Sequence, residues 1–154
     1  MNLLPPEIEP QILPLVEALT KTGLVQTFSS CAGHFAPNEQ QLRDRNHAEV
    51  RFLPAPGIAI GQVETVLGNW LIQFKQQHGI FPVQLIGYKL LTPVDETVDI
   101  TFVLELRPFN RFDPPVTKRN DIDRAIGQCR DAICCRSAVA VLPPDGTSRN
   151  GPSE

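Results

Sequence analysis

Long apolar runs, paired cysteines and a charge of one sign are all missing from this 154-residue sequence. A membrane span takes about 18 or more consecutive apolar residues, and no stretch comes near that. Cys31, Cys129, Cys134 and Cys135 are the four cysteines. They form neither a C-x-x-C pair nor a secreted disulfide framework, so reduced thiols are expected. Fourteen Lys and Arg against 17 Asp and Glu leave a net charge of −3. That excludes whole-molecule attraction to a polyanion, and any RNA contact would need a local basic patch. Met1-Asn2-Leu3-Leu4-Pro5-Pro6 offers no basic segment followed by an apolar run, so no signal peptide is expected and the location reads as cytoplasmic. At this length a single domain buries about 70% of its unfolded surface and needs neither disulfide nor metal to hold a core.

What is present is clear punctuation by 15 prolines. Ile8, Ile12, Leu15, Val16 and Leu19 recur at helical spacing, which predicts a helix from near Pro10 to before Gly23. Leu24 to Ser29 reads as a strand. Residues 36–46 are polar and read as a loop or a single helical turn. His47 to Leu53 alternates, with Ala48, Val50 and Phe52 on one side and His47, Glu49, Arg51 and Leu53 on the other. Ile60, Val63, Leu67, Trp70, Leu71 and Phe74 form one apolar helical stripe that stops at Gly79.

Val83 to Leu91 is more evenly apolar, as for a central strand. Thr92 to Glu96 is a hairpin-length connection. Val98, Ile100, Phe102, Leu104 and Leu106 then alternate with Asp99, Thr101, Val103, Glu105 and Arg107. A last helix is expected with Asn120 as its N-cap and Ile122, Ala125, Ile126, Cys129 and Ile133 buried. Ser137 to Leu142 reads equally as an extension of that helix or a short edge strand.

The order α-β-β-α-β-β-α predicts a two-layer α+β fold. It has a four-stranded, mainly antiparallel sheet with helices on one face. The single α/β domain is expected over residues 1–142, with 143–154 a solvated tail. The other sheet face would carry Glu49, Arg51, Asp99, Glu105 and Arg107, and is wet, ligand-bound or buried in a homodimer.

Chemistry concentrates in the turn Ser29-Ser30-Cys31-Ala32-Gly33-His34. Small residues let the chain turn sharply, Gly33 adopts positive φ freely, and the exposed amides can receive an anion. Cys31 and His34 are spaced to share a proton, and a thiol beside an imidazolium becomes a nucleophile. They are the candidate catalytic pair. Ser29, Ser30 and Gly33 from the turn, with His47 and Arg51, are the candidate ligand-binding residues. The same small polar residues also serve any tight strand end. Zinc would want two close ligand pairs, of which Cys31-x-x-His34 supplies one, and no metal is expected.

Ser29-Ser30-Cys31-Ala32-Gly33, after an amphipathic helix and a strand bearing Thr27, resembles the Ser-Ser-Cys-Ser-Gly-Arg signature of the wybutosine tRNA methyltransferase family. The resemblance extends to Val50-Arg51-Phe52-Leu53-Pro54 and the helix that follows, about residues 12–80. It implies the family's fold, S-adenosylmethionine as cofactor and a guanine-derived base of tRNA as substrate, with Ser29, Ser30, Cys31 and Gly33 on matching positions. Ala32 stands where the family has serine and His34 where it has arginine. A Lys-Gly-Gly-Trp-like segment is replaced by Pro37 to Asn46. Those departures favour a shared fold over a shared reaction.

Three readings follow. The first is a ligand-binding or catalytic domain related to the tRNA-modifying fold, taking a small molecule or RNA at the 29–34 turn. The second is a non-catalytic assembly module. The third is a cysteine-dependent enzyme in which Cys31 has His34 or His47 as base and Glu49 as orienting carboxylate. Arg43, Arg45 and Arg51 read either as a phosphate rim beside the turn or as part of a solvated loop. The loop is favoured because Asp44 and Glu49 dilute the charge and no aromatic alternates with the arginines for base stacking. Cys129 and Trp70 read as core.

Overall fold

The computed structural model describes residues 8–33 and 46–135. His34, Arg43, Arg45, the loop expected before Asn46, the 137–142 segment and the tail from 143 lie outside the described residues. In chain order the elements are α1 (Leu13–Lys21), β1 (Val25–Cys31), β2 (Ala48–Pro54), α2 (Ile60–His78), β3 (Val83–Val94), β4 (Thr97–Pro108) and α3 (Pro115–Cys134). This is the expected α+β order. The four strands make one sheet in the order β1-β2-β4-β3, with every pairing antiparallel.

Local sequence explains the element ends. Pro14 sits in the first turn of α1, where its missing N–H costs nothing. The helix therefore starts at Leu13 and not near Pro10, after a turn in which Glu9 O accepts the amides of Ile12 and Leu13. At the start of α2, Ala59 has no side chain to cap with, and the Gln62 amide oxygen instead accepts the Ala59 N–H at 3.0 Å. Gly79, at φ 72, ends α2. The third helix begins at Pro115, well before Asn120, because proline pre-sets the φ of a first turn. Asn120 is thus an exposed mid-helix residue and caps nothing.

The helices cover one sheet face. Ala48, Val50 and Phe52 of β2 and Phe102, Leu104 and Leu106 of β4 join Ile12, Leu15, Leu19, Trp70, Phe74, Ile122, Ile126 and Cys129 in one buried cluster. Phe52 and Phe102 stack across the β2–β4 pair at 5.8 Å. At Gly87 an added Cβ would lie 3.0 Å from Leu67, so glycine is what lets α2 approach β3.

Two expectations about strands change. β3 is an edge strand, not a central one. The hairpin is also tighter than expected: β3 runs to Val94, and the turn is only Asp95-Glu96, with Asp95 at φ 54. Because β2 pairs with β4 only from Phe102 to Leu106, the hairpin beyond Leu90 and Thr101 is a two-stranded arm. There Val98, on the helix-facing side by alternation, is 56% exposed. Among the described residues no helix is long and apolar enough to cross a membrane.

Candidate functional site

The candidate site lies on the sheet face opposite the helices. Alternation puts Glu49, Arg51, Val103 and Glu105 there, because Ala48, Val50, Phe52, Phe102, Leu104 and Leu106 take the other side. Register does the rest. Cys31 of β1 is opposite Glu49 of β2, which is opposite Glu105 of β4, so a thiol and two carboxylates form one row across three strands. The next row holds Ser29, Arg51, Val103 and Tyr88.

A bulge between Thr27 and Ser29 makes this arrangement possible. Thr27 pairs with the core residue Phe52, and without an extra residue Ser29 and Cys31 would share its side. The bulge inverts the remainder of the strand, turning Ser29 and Cys31 to the second face and Ser30, opposite Val50, toward the helices.

This face is polar, as expected, and its centre is sheltered from water although Ser29, Asp99 and Arg107 around it are exposed. Glu105 is 1% exposed and Glu49 9% exposed. Tyr88 donates its hydroxyl to Glu105 at 2.7 Å, and Arg107 Nε donates to the other carboxylate oxygen at 2.9 Å. Glu49 is approached by Arg51 at 3.4 Å and by His47 Nε2 at 4.0 Å. Val103 is fully buried between its cross-strand neighbours Arg51 and Tyr88.

The strand end beyond Cys31 is pinned from two distant elements. Ala32 donates its N–H to the Glu9 carboxylate at 3.3 Å, and its carbonyl accepts Arg119 Nη2 from α3. Arg119 is itself held by Asp123 at 3.0 Å. Gly33, at φ 92, turns its N–H back onto Cys31 Sγ at 3.4 Å. The half-buried sulfur thus accepts a backbone hydrogen bond.

The structure therefore puts Cys31, Ser29, His47 and Arg51 of the sequence candidates on one face, with Glu49, the carboxylate expected to orient the base, between them. Ser30 points to the helix side, Gly33 closes the turn, and His34 lies outside the described residues. Sequence reasoning placed Glu49, Glu105 and Arg107 on one face by alternation but had no means of aligning Glu49 with Glu105. It missed Tyr88, Glu9 and Arg119, whose partners are 17, 23 and 87 residues away. Cys129 is a fully buried core residue, and burial pushes its thiol far up from the ordinary range. Among the described residues no group of three or more His, Cys, Asp and Glu side chains is arranged to hold a metal ion. Comparison with protein-family models, with curated proteins and with solved structures finds no match for this chain.

Proposed function

We propose that the chain handles a small polar ligand on the second face of its sheet and that the Cys31 thiol is the reactive group. The observation that carries this reading is the row Cys31–Glu49–Glu105, with His47 paired to Glu49 on the same face. Nothing in the fold asks for it. Two carboxylates directly opposite on neighbouring strands repel, and burying charge is often less stable than an apolar replacement. Departures of this kind from consistent folding rules concentrate where chemistry is done.

In this reading Cys31 is the nucleophile, activated as its proton passes to His47. His47 lies two residues before Glu49, the cross-strand partner of Cys31, and a water or the ligand would carry the proton between them. Glu49 orients the imidazole, and Arg51 and Ser29 receive the polar end of the ligand. S-adenosylmethionine, the cofactor that the family resemblance implies, belongs among the probes. The charges of its amino-acid end match this donor set, with Glu49 for the ammonium and Arg51 for the carboxylate.

Iodoacetamide labelling followed by peptide mapping tests the assignment. Cys31 should react faster than the exposed Cys134 despite its lower accessibility. His47→Gln and Glu49→Gln should each slow Cys31 by about tenfold, one 1.36 kcal/mol step, while leaving Cys134 unchanged. A Cys31 that reacts no faster than Cys134, and ignores both substitutions, sinks the reading. Titration calorimetry with S-adenosylmethionine, on the native chain and on Cys31→Ser, tests the cofactor separately.

A specific observation favours a second reading, assembly through the same face. Phe28 at the bulge and Leu53 of β2 are exposed apolar side chains, at 46% and 37%. A homodimer that buries them would show as a doubled mass in light scattering, abolished by Phe28→Ser.

A further inference from the structure

A cleft on the other side of the molecule has no part in that reading. It opens where the C-terminal end of α2, the start of β3 and the middle of α3 meet, and it encloses about 270 Å³. Small-ligand pockets begin at about 300 Å³, so it suits a compact guest. Phe81, Pro82 and Val83 make its apolar wall. Phe81 is 63% exposed and is steadied by an edge-on contact with Phe109 at 5.4 Å. His78 is held against Phe74 with ring centroids 5.1 Å apart.

The charged lining is balanced. Asp121 and Arg124, one turn apart on α3, both line the cleft and form only a loose pair at 4.0 Å. Asp121 is largely sheltered, its side chain 16% exposed, whereas that of Arg124 is 67% exposed. A loose pair leaves the carboxylate and the guanidinium most of their hydrogen-bonding capacity. Their charges sum to zero, so a guest of single charge would leave one of them opposed. A guest carrying both charges satisfies each. Gln77 and Gln128 add amide donors and acceptors at the same place.

We infer that this cleft binds a free α-amino acid with an apolar side chain. The ammonium rests on Asp121, the carboxylate takes the Arg124 guanidinium, and the side chain lies against Phe81, Pro82 and Val83. Neither charge alone suffices, because the amino acid and not a simple acid or amine matches the pair. The assignment does not rest on Cys31, and failure of either site leaves the other standing.

Titration calorimetry on the full chain decides it, using L-leucine and L-phenylalanine as probes. 3-Phenylpropionate, which lacks the ammonium, and phenethylamine, which lacks the carboxylate, are the controls. Phenylalanine or leucine should bind, and each control should bind at least tenfold more weakly. Asp121→Asn and Arg124→Gln, both checked for unchanged circular dichroism, should each weaken the amino acid by a similar factor. Should a variant fail to fold, the analogue series on the native chain still decides. The inference is overturned if neither amino acid binds up to about 10 mM, a range in which even Kd values near 1 mM are visible. It is equally overturned if phenylpropionate or phenethylamine matches phenylalanine, or if both folded variants bind as the native chain does.

Discussion

The two faces of one sheet are built on opposite terms. On the helix side, Ala48, Val50, Phe52, Phe102, Leu104 and Leu106 are buried in one apolar and aromatic cluster with the helices. On the second side, residues from the same strands are as deeply buried, Glu105 at 1% and Val103 at 0%, yet two carboxylates, two arginines, a tyrosine and a histidine make up their company. The first face stabilises by removing apolar area from water. The second holds groups that must be hydrogen-bonded merely to break even. Burial alone therefore does not mark the core in this molecule. What a buried side chain touches separates the apolar face that folds the chain from the polar face proposed to act.

That contrast sets an order of expected effects. The largest belongs to the helix side. Phe52→Ala removes a fully buried ring from its stack on Phe102 and should cost about 3–5 kcal/mol in urea unfolding. A cost below about 1 kcal/mol would mean that the helix layer does not close over β2 as described.

Cys129 comes next, since it lies on the buried side of α3 in the same apolar cluster. Cys129→Ala should cost about 1 kcal/mol and leave Cys31 labelling untouched. It should also change the pH dependence in a definite direction. Burial raises the folded-state thiol pKa above its unfolded value. The contribution is complete below the unfolded pKa, about 8.5, and is lost as pH rises beyond it, because only the unfolded chain then releases the proton. Unfolding curves of the native chain and Cys129→Ala, compared from pH 7 to 10, should converge as pH rises. Parallel curves would place the thiol in water and require α3 to be rotated.

Glu105→Gln, on the second face, should be milder still. The amide keeps an oxygen for the Tyr88 hydroxyl and relieves the repulsion from Glu49, and the half-exposed Arg107 that loses its acceptor can turn to water, so the change should stay within about 1 kcal/mol of the native stability. The same substitution should disturb Cys31 labelling through Glu49. Strong destabilisation with unchanged labelling would make this polar row structural and erase the contrast between the faces.

Much of this was legible in the sequence, and the boundary of legibility has a physical cause. Alternation in β2 and β4 and the 3.6-residue stripes of α2 and α3 depend only on neighbours along the chain, so the element order, the antiparallel sheet and the burial of Trp70 and Cys129 could be read directly. The start of α3 was readable too, in Pro115, but Asn120 with the aspartates after it mimicked a cap. β3 looked central because apolar content does not report position in a sheet. The candidate site divided the same way. Cys31, His47 and Arg51 stand out as residue types, but their shared face depends on a single bulge at Thr27/Ser29, which no local pattern announces. The anchors Glu9 and Arg119 are invisible for the same reason, since each meets Ala32 only through the tertiary fold.

The smallest expected effect tests whether alternation by itself makes a core. Val98 and Leu104 lie on the same strand and, by the period of two, on the same side of it. Leu104 is 1% exposed beneath the helices, whereas Val98 is 56% exposed on the arm, where β3 and β4 pair with each other and with nothing further among the described residues. Leu104→Ala should cost about 2–5 kcal/mol. Val98→Thr keeps a β-branched shape suited to a strand and removes only exposed apolar surface, so it should shift stability by no more than about 0.5 kcal/mol. Thermal unfolding at two protein concentrations tenfold apart is the measurement. Equal midpoints for Val98→Thr and the native chain at both concentrations would confirm that the helix layer, and not strand parity, defines the core of β4. A cost for Val98→Thr that grows with concentration would instead show the arm buried against a second copy. The apolar side of the hairpin would then be an interface, and the comparison between the two faces would have to be drawn on the dimer.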